Sequence, residues 1–279
     1  MNARSLTDFL PLAGMLEVAD VGVEVPGRSL LQTASAQFIA GQVTAVLGPN
    51  GAGKSTLMSL LTGQRQPSSG HVRLAGKALP AYAPAELARM RACVAQETHV
   101  AFEFTVREVV ELGRYPHRRH PGCNEAGIVT QAMQATAVEH LQHRALNTLS
   151  GGEKARVHLA RALAQVWEPS ESLAARWLLL DEPTAALDLH HQHSMLQLVR
   201  AWATSQGVGV VAVLHDLNLA LRYSDRCVVL QHGRVVGSGA TAEVLTPLCI
   251  EKVWGMVAHA VAPHDGEPGP RQYLFEAPV

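Results

Sequence analysis

Charge is scarce in this chain. Asp, Glu, Lys and Arg make up 17% of its 279 residues, against about a quarter in an ordinary soluble domain, while 47% of the residues are hydrophobic. That balance supports a large core and excludes a predominantly disordered protein. The charges that exist cancel, 23 Lys plus Arg against 24 Asp plus Glu, for a formal net charge of -1. Without a broad positive field to gather a phosphate backbone, nucleic acid is not the expected partner. Cysteine is equally sparse. Cys93, Cys123, Cys227 and Cys249 form neither a CxxC pair nor a short metal spacing, which argues against a disulfide scaffold and for a reducing compartment. Long apolar runs are missing too. The uncharged stretch between Arg28 and Lys54 is broken by Gln, Ser, Thr, Gly and Pro, and no window supplies the roughly 20 apolar residues of a spanning helix. The opening MNARSLTDFLPLAGML is interrupted by Asp8 and Pro11 and lacks a small-residue cleavage site, so no signal peptide is expected.

What the sequence does contain is a set of short apolar runs that end in polar chemistry. FIAGQVTAVL, at 38–47, closes in a β-branched run, enters a Gly-rich turn and continues as TLMSLLTG with helical spacing, which reads as strand, loop, helix. WLLLDE at 177–182 and VGVVAVLH at 208–215 are further buried-strand candidates, and polar groups at strand C-termini suggest a site. CVVLQHGRVVGSG at 227–239 reads as two short strands turning at His232 and Gly233. Between these, 84–91, 105–112 and 124–141 read as helices. Asn124 is the N-cap of the last, and Ile128, Ala132, Ala135 and Val138 share one of its faces. The expected organisation is one domain over 1–279, with a helical subdomain inserted at 84–149 and a tail at 262–279 whose Pro/Gly-rich part, 262–272, reads as linker or mobile end.

GPNGAGKST at 48–56 satisfies G-x-x-x-x-G-K-[ST] and lies between a strand and a helix, the context that the pattern's physics requires. Gly48, Pro49, Asn50, Gly51, Ala52 and Gly53 form a loop whose backbone N–H groups can converge on phosphate oxygens. Lys54 brings a point charge to the β- and γ-phosphates, and Ser55, which completes the pattern, offers a hydroxyl to Mg²⁺, with Thr56 following it into the helix. Asp181 and Glu182 end a buried strand with adjacent carboxylates, which is costly unless a cation or water meets them. Asp181 would hold Mg²⁺, and Glu182 would polarise the water that attacks the γ-phosphate. LSGGEKARVHLARAL at 149–163 opens a helix with Ser150, Gly151 and Gly152, where free N–H groups and the helix dipole favour an anion.

Together with Gln96 in VAQET and His215 in LHDLN, these motifs resemble, in identity and order, the nucleotide-binding subunit of ATP-binding cassette (ABC) transporters. The resemblance implies an α/β fold: a P-loop NTPase (RecA-like) core with antiparallel β elements and an inserted helical subdomain. It implies ATP and Mg²⁺ as ligands, the metal met by Ser55, Gln96 and Asp181. It also implies a head-to-tail homodimer in which Ser150, Gly151 and Gly152 of one copy close over ATP held by the P-loop of the other. His215 matches the switch histidine that contacts the γ-phosphate, Gln96 the glutamine that senses Mg²⁺ and the membrane partner, and Asp188 the aspartate crossing the dimer seam.

Two positions depart from the family pattern. Residues 17–31 contain no Tyr, Phe or Trp to stack on adenine, which leaves the guanidinium plane of Arg28. The signature ends in Glu153 where Gln is commoner; the added charge is tolerable if it points away from phosphate.

Within the family, TVREVVELGRYPH at 105–117 and HDLNLA at 215–220 are similar to subunits importing iron-siderophore, cobalamin or haem, and the link WEPSESLAARW with DLHHQH is most like the haem importers. The implied protein is an ATPase beneath two permease chains and a periplasmic ligand-binding protein, peripheral on the cytoplasmic face of a bacterial inner membrane, with no contact to the cargo itself. A ferric-siderophore or cobalamin importer, or a soluble ABC ATPase of iron-sulfur cluster assembly, is the alternative. HRRH at 117–120 reads either as solvated surface or as contact with the membrane partner or anionic headgroups. His190, His191 and His193 read as polar residues of an exposed helix beside Asp188 rather than as a ligand set.

Overall fold

The computed structural model describes residues 14–95, 103–119, 121–122, 124–169, 175–261 and 272–276. Two long strands, β1 (Met15–Val25) and β2 (Arg28–Ile39), pair antiparallel through a turn at Pro26 and Gly27. β3 (Val43–Leu47) then enters a different sheet, while β4 (Ser69–Leu74) and β5 (Lys77–Ala78) return to the first in the order β2-β1-β4-β5. The sequence pattern predicts only one antiparallel pair, at 227–239. The first sheet leaves no such pattern, because Asp20, Glu24 and bulges interrupt the alternation of β1.

The second sheet carries the strand ends that matter. β6 (Arg91–Val94), β7 (Trp177–Asp181), β8 (Gly209–Val213), β9 (Arg226–Gln231) and β10 (Arg234–Ala240) join β3 in the order β10-β9-β3-β8-β7-β6. All its pairings are parallel except β9 with β10. Side chains alternate between two apolar layers. Ala45, Leu178, Leu180, Val210 and Ala212 face the larger cluster, whereas Val46, Leu179, Val211 and Val213 face the cluster shared with the first sheet. Coverage on both faces is why these strands read as continuous apolar runs.

Helix α1 (Lys54–Leu61) follows β3, and α2 (Pro84–Met90) precedes β6. The span 84–149 is therefore not purely helical: α2 runs straight into β6, an edge strand paired with β7. Its four residues are too short a run for periodicity to separate strand from helix. Helices α3 (Val106–Glu111), α4 (Glu125–Ala135) and α5 (Gly151–Gln165) then pack together. Thr105 and Glu108 close a capping box on α3, and Asn124 caps α4 through Gly127 N–H at 3.0 Å. α4 stops short of 141 because Ala137 takes a φ of 53°, a left-handed turn that ends the helix and returns Val138 to the core.

The basic run at 117–120 is not uniformly solvated. His117 is buried, with Nε2 2.8 Å from the Gln165 carbonyl, and Arg118 lies over the Tyr115 ring at 4.2 Å. His120 lies outside the described residues. The turn at 112–117 can sit this deep because Gly113 lacks a side chain: a Cβ there would stand 2.2 Å from the Arg161 carbonyl of α5. Nearby, buried Arg114 forks onto Glu125 at 2.6 and 2.8 Å, meets Glu168 at 3.0 Å and donates to the Ala164 carbonyl at 2.8 Å. Arg114→Ala should lower stability by about 1–2 kcal/mol, because it removes the charge-assisted fork to Glu125 and the buried bond to the Ala164 carbonyl, while half-exposed Glu168 is rehydrated at little cost. The Arg114 hydrogen bond holds the Glu125 carboxyl below its ordinary value of 4.5. That contribution is therefore complete above about pH 4.5 and lost as pH falls through the lowered value. Urea melts of both chains at neutral and acid pH check this; equal midpoints at neutral pH would contradict it.

α6 (Leu189–Gln206) links β7 to β8, and α7 (Leu217–Tyr223) links β8 to β9. α8 (Thr241–Val244) and α9 (Pro247–Trp254) lead to a hairpin of β11 (Val257–Val261) and β12 (Gln272–Glu276). Part of the tail expected at 262–279 is thus ordered: Tyr273 of β12 buries its ring in the main core. Among the described residues no helix is long and apolar enough to cross a membrane.

Candidate functional site

β3 delivers the chain to the centre of the sheet's C-terminal edge, and glycine lets it turn there. Gly48 has a φ of 146°, and a Cβ on it would lie 2.2 Å from the Leu230 carbonyl. Gly53, the N-cap of α1, has a φ of 107° and would drive a Cβ into Leu31 at 2.8 Å. The hairpin turn between β9 and β10 braces this loop, since Gly233 N–H donates to the Ala52 carbonyl at 3.0 Å. Asn50 and Gly51 at the loop's tip are exposed, Pro49 and Thr56 are half-buried, and Ser55 presents its side chain at the surface.

Lys54 is buried, and its Nζ donates to the carbonyls of Gly48 at 2.8 Å and Pro49 at 3.1 Å. Burial pushes the ammonium's pKa down, and the charges of Glu182 and Asp181 work against that shift. The lysine and the two carboxylates therefore share one electrostatic field. Asp181, the last residue of β7, is half-buried, and its Oδ1 has no hydrogen-bond partner. Burial raises its pKa, Glu182 adds to the rise, and Lys54 and His215 oppose it.

Glu182 adopts a φ of 51°, an unusual backbone for a side chain of its size. The turn takes its carboxylate off the strand axis, and Oε1 lies 2.7 Å from Nε2 of His215 at the end of β8. β7 and β8 are neighbours, so parallel pairing brings together two residues far apart in sequence. A cavity of about 330 Å³ opens beside the carboxylates, walled by Asp181, Glu182, Gly151, Lys154 and His158 among others. His158 was missed in the sequence reading. It is buried with Nδ1 unpartnered, and burial drives its pKa down to about 4, so it is neutral at pH 7; a histidine inside ARVHLARAL carries no sequence signal for this.

Ser150 caps α5 in a reciprocal box. Its Oγ accepts from Glu153 N–H at 3.2 Å, and Glu153 Oε2 accepts from Ser150 N–H at 2.8 Å. The extra carboxylate of the signature is thus turned back onto its own cap, and the Ser150 N–H holds it below the ordinary carboxylate range. Gly151 and Gly152 lie against Ala186 and Leu187, where added Cβ atoms would meet side-chain carbons at 3.5 and 3.2 Å. Asp188 follows directly and caps α6 through His191 N–H at 2.9 Å, while also holding His191 Nδ1 at 2.8 Å. The histidines disperse: His193 meets the Tyr223 hydroxyl at 2.7 Å, and His190 lies edge-on to His191.

The fold therefore gathers Lys54, Asp181, Glu182 and His215 around the loop at 48–56. Ser150, Gly151 and Asp188 form a second, exposed group on neighbouring segments. Arg28 is exposed at the start of β2, and Gln96 lies outside the described residues.

A family model described as ABC transporter matches residues 31–185. The hemin import ATP-binding protein HmuV of Gloeobacter violaceus is 50% identical over 244 residues, covering 87% of this chain and 88% of that protein. Among solved structures, an inward-facing metal-chelate type ABC transporter superposes with a TM-score of 0.78 at 26% identity, covering 95% of this chain and 98% of that one. A dimeric, post-hydrolysis state of the ATP-binding cassette MJ0796 bound to ADP and Pi superposes with a TM-score of 0.70 at 25% identity, covering 81% and 98%.

Proposed function

The chain belongs to the ABC transporter family of ATP-binding domains, and from that membership we propose that it is the ATP-hydrolysing subunit of a haem importer. One observation carries the cargo: the near end-to-end likeness to a hemin-import ATP-binding protein. The chemistry rests on the gathered side chains. In this reading the loop at 48–56 wraps the phosphates with backbone N–H groups, and Lys54 exchanges the Gly48 and Pro49 carbonyls for phosphate oxygens. Lys54→Ala should weaken ATP binding roughly tenfold to a hundredfold, the worth of a charge-assisted hydrogen bond. Calorimetry reads this directly, and unchanged affinity would count against the loop's role.

Mg²⁺ fits the residues present. Asp181 offers a buried oxygen without a partner, next to a second carboxylate and within the field of Lys54, the residue before Ser55, and carboxylate oxygens are the hard donors this ion takes. Ser55, Asp181 and Gln96 would hold it, and its charge would offset that of the phosphates. Glu182 would act as general base toward water, and His215, 2.7 Å from that carboxylate, would fix it and contact the γ-phosphate. Ser150, Gly151 and Asp188 remain exposed on a single chain, with the Ser150 N–H held by Glu153 Oε2 at 2.8 Å. A second copy, antiparallel to the first, supplies them to the nucleotide, as the dimeric form of the ADP-bound neighbour supports. The dimer works under two permease chains fed by a periplasmic ligand-binding protein, at the cytoplasmic face of a bacterial inner membrane.

Uptake of haem, cobalamin and ferric siderophore in a strain lacking this chain tests the reading. Loss of haem uptake alone, restored by the wild-type gene, is expected. A defect confined to cobalamin or siderophore would reassign the cargo, and no defect in any would remove the importer.

A further inference from the structure

His215 is held between two anchors, and the second of them belongs to the C-terminal hairpin. Upstream, Leu214 N–H donates to the Val46 carbonyl at 3.2 Å and ties the end of β8 to β3. Downstream, Asp216 Oδ1 accepts from Asn218 N–H at 2.7 Å and from Leu219 N–H at 2.9 Å, starting α7 immediately after the histidine. Asn218 then uses its side chain as a strand uses its backbone. Its Nδ2 donates to the Tyr273 carbonyl at 3.0 Å, and its Oδ1 accepts from Tyr273 N–H at 2.8 Å. Tyr273 is fixed in turn, with its ring buried and its hydroxyl donating to the Leu245 carbonyl at 2.9 Å.

We infer that Asn218, clamped to Tyr273, is a positioning residue that holds His215 against Glu182, with the C-terminal hairpin as the abutment. The inference rests on the catalytic reading of Glu182 and His215 given above. α7 has only seven residues, so its first turn has little helix behind it to resist movement. Buried Leu217, Leu219, Ala220, Leu221 and Tyr223 pack the helix into the core, and the clamp adds a directional, hydrogen-bonded hold on the end that carries His215. A contact of 2.7 Å between His215 and Glu182 tolerates little displacement before hydrogen bonding weakens. Asn suits the position because a short amide offers one donor and one acceptor in a single plane, matching a residue's C=O and N–H.

The test is steady-state ATP hydrolysis by full-length Asn218→Ala, Asn218→Asp, Tyr273→Ala and the Asn218→Ala/Tyr273→Ala pair, each with a thermal melt. Aspartate keeps the acceptor and places favourable charge at the start of α7, but sets a carboxylate oxygen against the Tyr273 carbonyl. If Asn218 only stabilised the helix, Asn218→Asp would match wild type. The clamp instead predicts that kcat falls about tenfold in both Asn218 variants while KM for ATP changes less than about twofold. Tyr273→Ala keeps the backbone C=O and N–H that Asn218 meets but removes the buried ring and hydroxyl that hold them in place, so the pair should fall no further than the worse single variant. Wild-type kcat in a natively melting Asn218→Asp, or losses that multiply in the pair, would overturn the clamp. Glu182→Gln run alongside reads the underlying catalytic assignment separately. Full turnover there overturns that assignment, whereas lost turnover there with wild-type kcat in Asn218→Asp overturns the clamp alone.

Discussion

Glu182→Gln is expected to bind ATP as wild type does and to hydrolyse it at least about a hundredfold more slowly, the loss typical of a removed general base. The amide keeps the volume of the side chain and an oxygen that can accept from His215 Nε2, now 2.7 Å from Oε1. The positive φ of residue 182 is a property of the turn and should survive the change. Only the capacity to take a proton from water is lost. With ATP and Mg²⁺ the variant should accumulate as a closed dimer on size exclusion. Wild-type turnover would remove Glu182 from the base role.

Ser150→Arg should reduce turnover by a similar factor of about a hundred or more while leaving ATP binding by the single chain within about twofold, because the residue acts on nucleotide held by another copy. Loss of the Ser150 cap costs about 1 kcal/mol of helix stability, so Ser150→Asn, which caps as well, controls for it. Mixing Ser150→Arg with Lys54→Ala permits one heterodimeric site with an intact loop and an intact signature, and turnover above either variant alone is expected. Ser150→Arg protein as active as wild type would contradict a site shared between copies.

The parts of this site that could be read in the sequence are those whose chemistry is local. A phosphate cradle needs consecutive N–H groups and a lysine within nine residues, and a strand end with two carboxylates is visible as WLLLDE. The strands β3, β7 and β8 were legible because burial on both faces leaves nearly continuous apolar runs, broken only by Thr44 within β3 and Asp181 at the end of β7. Non-local features were not legible. Nothing in the sequence announces that Glu182 and His215 touch, since that depends on β7 lying beside β8. β6 was hidden by its length, and β12 by the Pro/Gly-rich segment before it, although the buried Tyr273 and its bond to Asn218 order the strand. His117 read as part of a basic surface run, but Gly113 lets its turn sink against α5.

The dependence of specific ATPase activity on protein concentration, measured without detergent and with light scattering on the same samples, bears most directly on the head-to-tail site. On the proposed reading one chain supplies the phosphate loop, metal carboxylate and base, and it leaves Ser150, Gly151 and Asp188 on its surface. Specific activity should therefore rise with concentration and level off as dimers saturate. Constant specific activity in a species that scatters as a monomer throughout would contradict the shared site and the transporter mechanism built on it.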